Sequence, residues 1–352
     1  MNVLKRLAQL IALAAYALVF LEVFIRLANP QVIEPRYTAA APWGVRQNIP
    51  NARYVHQTPR KAIAFAINSQ GMRDDREFAF PKPAGTCRVE VFGDSFFMGY
   101  EVDLQESFAR RLEVRLRARG YRTEVLNLSV SGFGQAEMLA TYRALGRRYA
   151  PDVVVSSWHY TDLDDNVRSQ LFKLEGGQLK TLNATYAPSV ELQARLARIS
   201  PYVWLSEHSQ LWAYVREHAG FQVRTLLATL RKNKVDPAAE SASQKRLSAA
   251  LLRRFRDEVA ADGGRFLAVD VPRRRSGDVF ESAVPLLDAD LWRKVEVVSP
   301  FSRFEAIKGS GGKAYYDRGG AMHMTPLAND TLASLVADRL VQEGALKGCV
   351  NP

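Results

Sequence analysis

The most regular pattern in the chain is an apolar run near its N-terminus, LAQLIALAAYALVFLEVFIRL, which covers residues 7–27. A helix of that length spans about 31 Å, which matches the hydrocarbon core of a membrane. Glu22 and Arg26 lie near its end, four residues apart, so they can pair on one helix face at the outer interface. Lys5 and Arg6 precede the run and predict a cytoplasmic N-terminus.

The run predicts a single-pass anchor at residues 7–28 in the inner (cytoplasmic) membrane. Residues 1–6 form a cytoplasmic tip, and the rest of the chain lies in the periplasm or another extracytoplasmic space. The alternative is a signal peptide cleaved after Ala15-Tyr16-Ala17. That cleavage would leave LVFLEVFI exposed at the mature end, which favours the anchor.

Residues 29–85 contain scattered prolines and predict an extended neck with a few short strands. From residue 86 onward, strand patterns alternate with helix patterns, which is typical of a parallel sheet covered on both faces. We therefore predict an α/β fold over residues 86–352, a three-layer α/β/α sandwich of the flavodoxin-like kind. The predicted strands are Arg88–Phe92, Glu124–Leu128, DVVVSSW, RFLAVDV and KVEVVSPF, and the predicted helices are Ser107–Arg119, Gln135–Arg148, Leu247–Ala261 and Pro326–Glu343.

One stretch breaks this alternation, at about residues 166–232. It begins with FKLEGGQLKTLNATY, which predicts a short hairpin, and continues with SPYVWLSEHSQLWAYVREH, which predicts a helix rich in aromatic residues. We interpret it as a lid-like insertion above the sheet of one domain.

The formal net charge of +11 raises the question of a nucleic-acid partner. No zinc-finger, RNP or helix-turn-helix pattern occurs, and an exported chain rarely meets DNA, so we predict no nucleic acid. The charge is still consistent with an anionic lipid surface or an anionic substrate as a partner. The sequence has no phosphate-binding loop, HExxH motif or CxxC pair, so neither a metal nor another cofactor is indicated.

Four polar stretches fall where sites form in open parallel sheets, after the first three strands and before the last helix. They are GDSFF, SVSGFGQ, WHYTDLDDN and YYDRGGAMHMTPLAND. Together they resemble the SGNH/GDSL hydrolase superfamily, and the resemblance extends from about residue 68 to the C-terminus. INSQGMRDD, the Glu-x-x-x-Arg end of the anchor and FKLEGGQL resemble its membrane-anchored bacterial branch, which is related to O-acetyltransferase-type SGNH proteins.

The resemblance implies a catalytic serine, Ser95, and a general base, His323. The family places an aspartate three residues before the histidine, but this chain has Gly320 there. The nearest aspartate is Asp317, which a bulge at Gly319-Gly320 would bring under His323. If no such bulge forms, a backbone carbonyl takes the place of the carboxylate beside His323, and Ser95 and His323 work as a dyad. The other histidines are His56, His159, His208 and His218.

The resemblance also implies an oxyanion hole made by the N–H groups of Ser95 and Gly132 and a side chain of the third stretch. The family has asparagine at that position and this chain has Thr161, which donates from a shorter side chain. Asn166 is a less favoured replacement, and Asp94 is expected to cap the local turn. No GxSxG motif occurs, which argues against an α/β-hydrolase.

Three functions follow as hypotheses. The first is a membrane-anchored extracytoplasmic serine esterase or deacetylase acting on an ester-bearing glycan or lipid. The second is an O-acetyltransferase that passes the acyl group to a polysaccharide, beside a multi-pass membrane protein that donates it. The third is a catalytically weak binding module, for which Thr161 and Gly320 are the support.

A run of three arginines and the two cysteines lead to two further predictions. Arg273, Arg274 and Arg275 follow a strand on the rim of Ser95, either as a solvated loop or as a contact for an anionic substrate. The last predicted helix runs about 27 Å back across the sheet, toward the start of the first strand. We therefore predict a disulfide between Cys87 and Cys349, the alternative being two unpaired thiols.

Overall fold

The computed structural model describes residues 2–33, 35–183, 185, 188–216, 218–219, 222, 237–275, 278–317 and 323–350. The strands in chain order are β1 (Thr38–Ala40), β2 (Arg46–Asn48), β3 (Arg53–Gln57), β4 (Ala62–Ala66), β5 (Cys87–Phe92), β6 (Thr123–Asn127), β7 (Val153–Trp158), β8 (Phe172–Glu175), β9 (Gln178–Thr181), β10 (Arg265–Asp270), β11 (Arg273–Arg275), β12 (Val279–Glu281) and β13 (Val297–Val298). The helices are α1 (Asn2–Ala28), α2 (Ser95–Met98), α3 (Phe108–Ala118), α4 (Gln135–Ala144), α5 (Asp162–Arg168), α6 (Pro188–Leu196), α7 (Ser200–His208), α8 (Pro237–Ala261), α9 (Ala289–Trp292), α10 (Phe301–Gly309) and α11 (Pro326–Gln342). Residues 210–216 are also helical.

The N-terminal apolar run forms the single continuous helix α1. Its stretch Val3–Ala28 is long and apolar enough to cross a membrane, and its side chains are almost all exposed. Ile25 is the buried exception, and Glu22 is partly buried, so one face near the end of the helix contacts the rest of the protein.

The central sheet has five parallel strands in the order β13-β10-β7-β5-β6. Strands β5 and β7 are buried along their whole length, as expected for a parallel sheet with helices on both faces. One face packs against α4 and α8, with Phe255 of α8 among its buried residues. The other packs against α3 and α11, with Leu112 and Leu332. The sandwich predicted from the alternation is therefore the observed architecture.

The short strands predicted within residues 29–85 are present, but the described part of this segment packs on the sandwich and does not extend away from it. Strands β1 and β2 form one antiparallel hairpin, and β3 and β4 form another. The buried Asn48 donates to the carbonyls of Gly71 at 3.0 Å and Ser129 at 3.2 Å. The fully buried Arg73 donates to the carbonyls of Met98 at 2.8 Å and Val102 at 2.7 Å, directly behind α2. This segment thus supports α2 and the loop that follows β6.

The insertion holds the predicted hairpin, β8–β9, followed by α6, α7 and the helical residues 210–216. The hairpin packs against α8, and α6 packs against β1. Residues 208–211 contact α1. These contacts place the described part of the insertion against α8, β1 and α1, and its role as a lid stays a prediction.

The C-terminal tail returns to the start of the sheet. Cys349 and Cys87 form a disulfide with a Cα–Cα distance of 5.6 Å. Next to it, the Arg122 N–H donates to the carbonyl of Cys349 at 2.7 Å, and Tyr121 forms an antiparallel bridge with Val350. The tail is thereby fixed at the edge of the sheet opposite Ser95.

Candidate active site

Ser95 lies at the first turn after strand β5, at the N-terminus of the short helix α2. The turn requires Gly93, because a Cβ there would lie 2.6 Å from the Cβ of Phe97 and 2.9 Å from Ser157 Oγ. The Asp94 carboxylate accepts a hydrogen bond from the Phe96 N–H at 2.9 Å, which is the capping role expected for it. Since β6 and β7 lie on opposite sides of β5, Ser95 occupies the topological switch point of the sheet.

His323 is brought to Ser95 by the loop that precedes helix α11. An isolated bridge between Tyr315 and Met324 closes this loop, and the Tyr316 N–H donates to the His323 carbonyl at 3.0 Å. The His323 Nε2 atom lies 2.7 Å from Ser95 Oγ. The nucleophile and base that the sequence predicts are therefore within hydrogen-bond distance.

The acid beside His323 is Glu101. Its Oε2 accepts from the His323 backbone N–H at 2.9 Å and lies 3.2 Å from Nδ1 of the same residue. Its Oε1 pairs with the Arg60 guanidinium, which comes from the loop between β3 and β4. Glu101 is 2% exposed. Burial alone would raise its pKa, but the hydrogen bonds from His323 and the positive charges of His323 and Arg60 lower it below its ordinary value.

Asp317 does not have the role predicted for it. Its side chain is exposed and pairs with Lys313 and, at 3.0 Å, with Arg274. These two cations and not the imidazole hold the Asp317 carboxylate, and the carboxylate that faces His323 Nδ1 is that of Glu101. The Gly319-Gly320 bulge invoked for Asp317 lies outside the described residues. A side-chain carboxylate therefore faces His323 Nδ1, where the alternative expects a backbone carbonyl.

Gly132 follows strand β6 on the same edge of the sheet as Ser95. The Val130 N–H donates to the Gly93 carbonyl at 3.1 Å, which continues the pairing of the two strands into their loops. Gly132 has φ +75°, a conformation that favours glycine. Arg46 and Arg168 both donate to its carbonyl, at 2.6 and 2.9 Å. Among the described residues no hydrogen-bond acceptor lies against its N–H, so this donor is available to a ligand.

The third stretch places a histidine and a threonine next to Ser95. His159 is buried, and its ring packs on that of Phe96, which also packs on the ring of His323. The Thr161 hydroxyl lies 2.8 Å from His159 Nδ1. Burial, together with the positive charges of His323 and Arg273, lowers the pKa of His159 to about 3, so the ring is neutral.

The Asn166 side chain makes its hydrogen bonds within the fold and not at Ser95. Its Nδ2 donates to Gln135 Oε1 at 2.8 Å and to Ser248 Oγ at 2.9 Å, and its Oδ1 accepts from the Ala136 N–H at 3.0 Å. All three contacts join helices α4, α5 and α8. Asn166 therefore holds these helices together and does not replace the asparagine of the family.

The three arginines after strand β10 have different surroundings. Arg274 donates to the Tyr316 carbonyl at 2.6 Å and pairs with Asp278 and Asp317. Arg275 pairs with Glu281 at 2.6 Å. Arg273 lies over the ring of Tyr160 at 4.2 Å. In the described part of the chain only Arg273 of the three has no carboxylate partner, and its stacking on Tyr160 places it beside His159.

The remaining histidines lie away from Ser95 Oγ. His56 is buried behind the site, with its ring 4.2 Å from that of Tyr100. His208 and His218 are exposed on the insertion. In the described residues no group of three or more His, Cys, Asp or Glu side chains is placed to hold a metal ion.

Sequence reasoning missed Glu101 and the arginines that support the site, Arg46, Arg60 and Arg73. Glu101 stands only six residues after Ser95, but its partner His323 lies 222 positions away, so no local spacing marks the pair. The arginines come from the segment interpreted as a neck.

No family model and no curated protein matches the chain. Solved structures do resemble it. A GDSL-like lipase from Bacteroides thetaiotaomicron is 10% identical, with 76% of this chain and 93% of that chain covered and a TM-score of 0.39. A lipase/acylhydrolase from Enterococcus faecalis is 11% identical, with 73% and 96% covered and a TM-score of 0.41. The psychrotrophic esterase EstA from Pseudoalteromonas is 10% identical, with 73% and 97% covered and a TM-score of 0.38.

Proposed function

We propose that the protein is a serine esterase or deacetylase of the SGNH/GDSL type, anchored in the membrane by α1, with its catalytic domain on the extracytoplasmic side. The observation that carries the proposal is the continuous arrangement of Ser95, His323 and Glu101, with 2.7 Å between Ser95 Oγ and His323 Nε2. A buried carboxylate on Nδ1 of the same ring completes a triad. The substrate class is an ester-bearing glycan or lipid.

The geometry supports acylation of Ser95. His323 Nε2 takes the proton of Ser95 Oγ as the oxygen attacks the ester carbonyl. Glu101 holds the ring in the tautomer that carries its proton on Nδ1 and stabilises the imidazolium that forms. His323 then gives the proton to the leaving alcohol, and the acyl group stays on Ser95.

The oxyanion is stabilised by the N–H of Ser95, at the start of α2, and by the N–H of Gly132. The two arginines on the Gly132 carbonyl hold the peptide unit that follows Gly132 and so restrict the backbone beside this donor. The Thr161 hydroxyl is the proposed third donor, and it reaches the oxyanion by turning from His159 Nδ1.

In the second half-reaction His323 activates the acceptor, and deacylation returns Ser95 to its free form. Water as acceptor makes the protein an esterase, and a sugar hydroxyl makes it an O-acetyltransferase with the same residues. Analysis of the products with and without an acceptor glycan distinguishes the two.

The proposal is tested by labelling the full-length, detergent-solubilised protein with a fluorophosphonate probe. We expect one labelled serine, lost in Ser95→Ala and retained in the exposed control Ser69→Ala. Ester turnover should fall by several orders of magnitude in Ser95→Ala with folding intact. Labelling that survives in Ser95→Ala, or turnover above about a tenth of wild type, which is only ~1.4 kcal/mol of barrier, would contradict the assignment. Absence of labelling in the wild type would favour the binding module.

A further inference from the structure

The insertion is attached to the anchor helix through the Glu22–Arg26 pair. Glu22 accepts hydrogen bonds from the Gln210 N–H at 3.0 Å, the Leu211 N–H at 2.9 Å and the Ser209 hydroxyl at 2.8 Å. Its carboxylate therefore caps the N-terminus of the helical residues 210–216. Arg26 pairs with Glu22 at 2.7 Å and donates to the His208 carbonyl at 2.8 Å, at the end of α7. The pair thus holds the joint between the two insertion helices.

This attachment fixes the depth of the insertion relative to the anchor. Glu22 precedes the end of α1, Ala28, by six residues, which is about 9 Å of helix. The joint therefore lies below the point where α1 ends and not above it. The Gln31 N–H, which follows α1, also donates to the Gln210 side chain, so the anchor and the joint are connected at two levels.

The surface of the insertion at this depth carries large exposed apolar side chains. Trp204 is 60% exposed, Ile199 is 50% exposed and Val215 is 45% exposed. The two helices pack on each other through Tyr202 and Trp212, whose ring centroids are 5.9 Å apart. Exposed aliphatic side chains, interfacial aromatic rings and flanking basic residues are the composition of a helix that lies in a membrane interface. The basic residues here are Arg195, Arg198 and Arg216.

We propose that α7 and residues 210–216 lie in the outer leaflet of the same bilayer that α1 crosses, with Trp204, Ile199 and Val215 among the lipid chains. The occupant of this surface is lipid, because the contacts with Glu22 and Arg26 place it at the depth of the apolar run. The insertion is accordingly a membrane-lying element that orients the domain. This inference rests on the membrane anchoring put forward under Proposed function.

The test uses the full-length chain in vesicles of phosphatidylcholine and phosphatidylglycerol. Cys87 and Cys349 are joined, so a nitroxide can be attached to one introduced cysteine. The sites are Trp204→Cys, Leu13→Cys in the middle of α1, and Gly176→Cys at the turn of the β8–β9 hairpin, where an added side chain meets open space. Power-saturation spectroscopy compares the accessibility of each label to oxygen and to a water-soluble nickel chelate.

We expect the label at 204 to favour oxygen and to lie about 5–10 Å inside the headgroup boundary. The label at 13 should lie at the bilayer centre and the label at 176 in water. A label at 204 that behaves like the one at 176, while the one at 13 stays in the bilayer, overturns this inference and leaves the anchor intact. If the label at 13 is also in water, the anchoring itself fails. Spin–spin broadening at 204 would show a second copy on this surface and also contradict the inference.

A second variant tests the attachment. Glu22→Gln, made in the chain labelled at 204, weakens the cap on residues 210–216, and we expect the nickel accessibility of the label to rise. The control is Glu175→Gln on the hairpin, which should leave the label unchanged. Hydrolysis of a soluble ester reports that each variant is folded, since Glu22 lies outside the catalytic machinery. An unchanged label in Glu22→Gln with retained turnover would contradict the role assigned to the pair.

Discussion

The Glu101 carboxylate contacts His323 twice through a single oxygen, which accepts from the backbone N–H at 2.9 Å and faces Nδ1 at 3.2 Å. One acid therefore fixes both the loop that carries the histidine and the orientation of its ring. Glu101 follows Ser95 around the end of α2, where Gly99 has φ +76° and turns the chain. Ser95 and Glu101 thus come from one short segment, and His323 comes from the other end of the chain.

The first prediction tests which carboxylate, that of Glu101 or that of Asp317, acts with His323. We expect Glu101→Gln to lower the kcat for ester hydrolysis by about 10²–10⁴, because the neutral amide no longer holds the productive tautomer or stabilises the imidazolium. Asp317→Asn, which removes a carboxylate paired with Lys313 and Arg274, should stay within about threefold of wild type. Steady-state kinetics with a soluble ester measures both. The opposite ranking of the two variants would restore Asp317 as the acid.

The strands and helices of the sandwich are predictable from sequence because their patterns are local. Strand β7 is a continuous apolar run after Pro151, and the predicted and observed bounds of β10 agree within a residue. Glu101 is not predictable in this way, because its role depends on packing between segments 222 residues apart. The roles of Arg60 and Arg73 are not predictable from sequence for a related reason. Scattered prolines and short strands look alike in an extended neck and in hairpins that pack on a domain.

The second prediction concerns the substrate. Arg273 lies over Tyr160 beside His159, whereas Arg275 pairs with Glu281 on the surface. We expect Arg273→Gln to raise KM for an anionic ester and to leave KM for a neutral ester nearly unchanged, with a larger effect at low salt. Arg275→Gln is the matched control and should change neither. Equal effects of Arg273→Gln on the two esters would mean that Arg273 supports the loop and does not contact the substrate.

The third prediction concerns the pH dependence of the free energy of unfolding, to which the buried His56 contributes. Burial, followed by the positive charges of Arg73 and His323, lowers the pKa of His56 to about 3, against 6.5 in the unfolded chain. Between these values the unfolded state binds a proton that the folded state does not, so the free energy of unfolding falls as the pH is lowered. The loss is about 1.4 kcal/mol per pH unit below 6.5.

His56→Phe should remove this contribution and keep the aromatic packing against Phe65 and Tyr100. Urea unfolding of the solubilised chain at pH 6.5 and pH 5.0 measures it, and the decrease should be about 2 kcal/mol smaller in the variant. The exposed His218→Gln should retain the decrease of the wild type. A His56→Phe variant with the same decrease as the wild type would show that His56 does not resist protonation.

The last prediction concerns the disulfide. Cys87 opens β5 and Cys349 follows α11, the helix whose N-terminal loop carries His323, so the bond closes a loop of 262 positions between the two ends of the domain. Closing a long loop restricts the unfolded chain, and removal of such a bond costs about 2–5 kcal/mol. We therefore expect Cys87→Ser/Cys349→Ser to lower Tm, and to lower kcat little at temperatures where the variant is folded, because the bond lies at the edge of the sheet opposite Ser95. Reductant should lower the Tm of the wild type and leave that of the double variant unchanged. Thiol titration of unreduced, denatured wild type should find no free thiol, and two free thiols per chain would refute the bond.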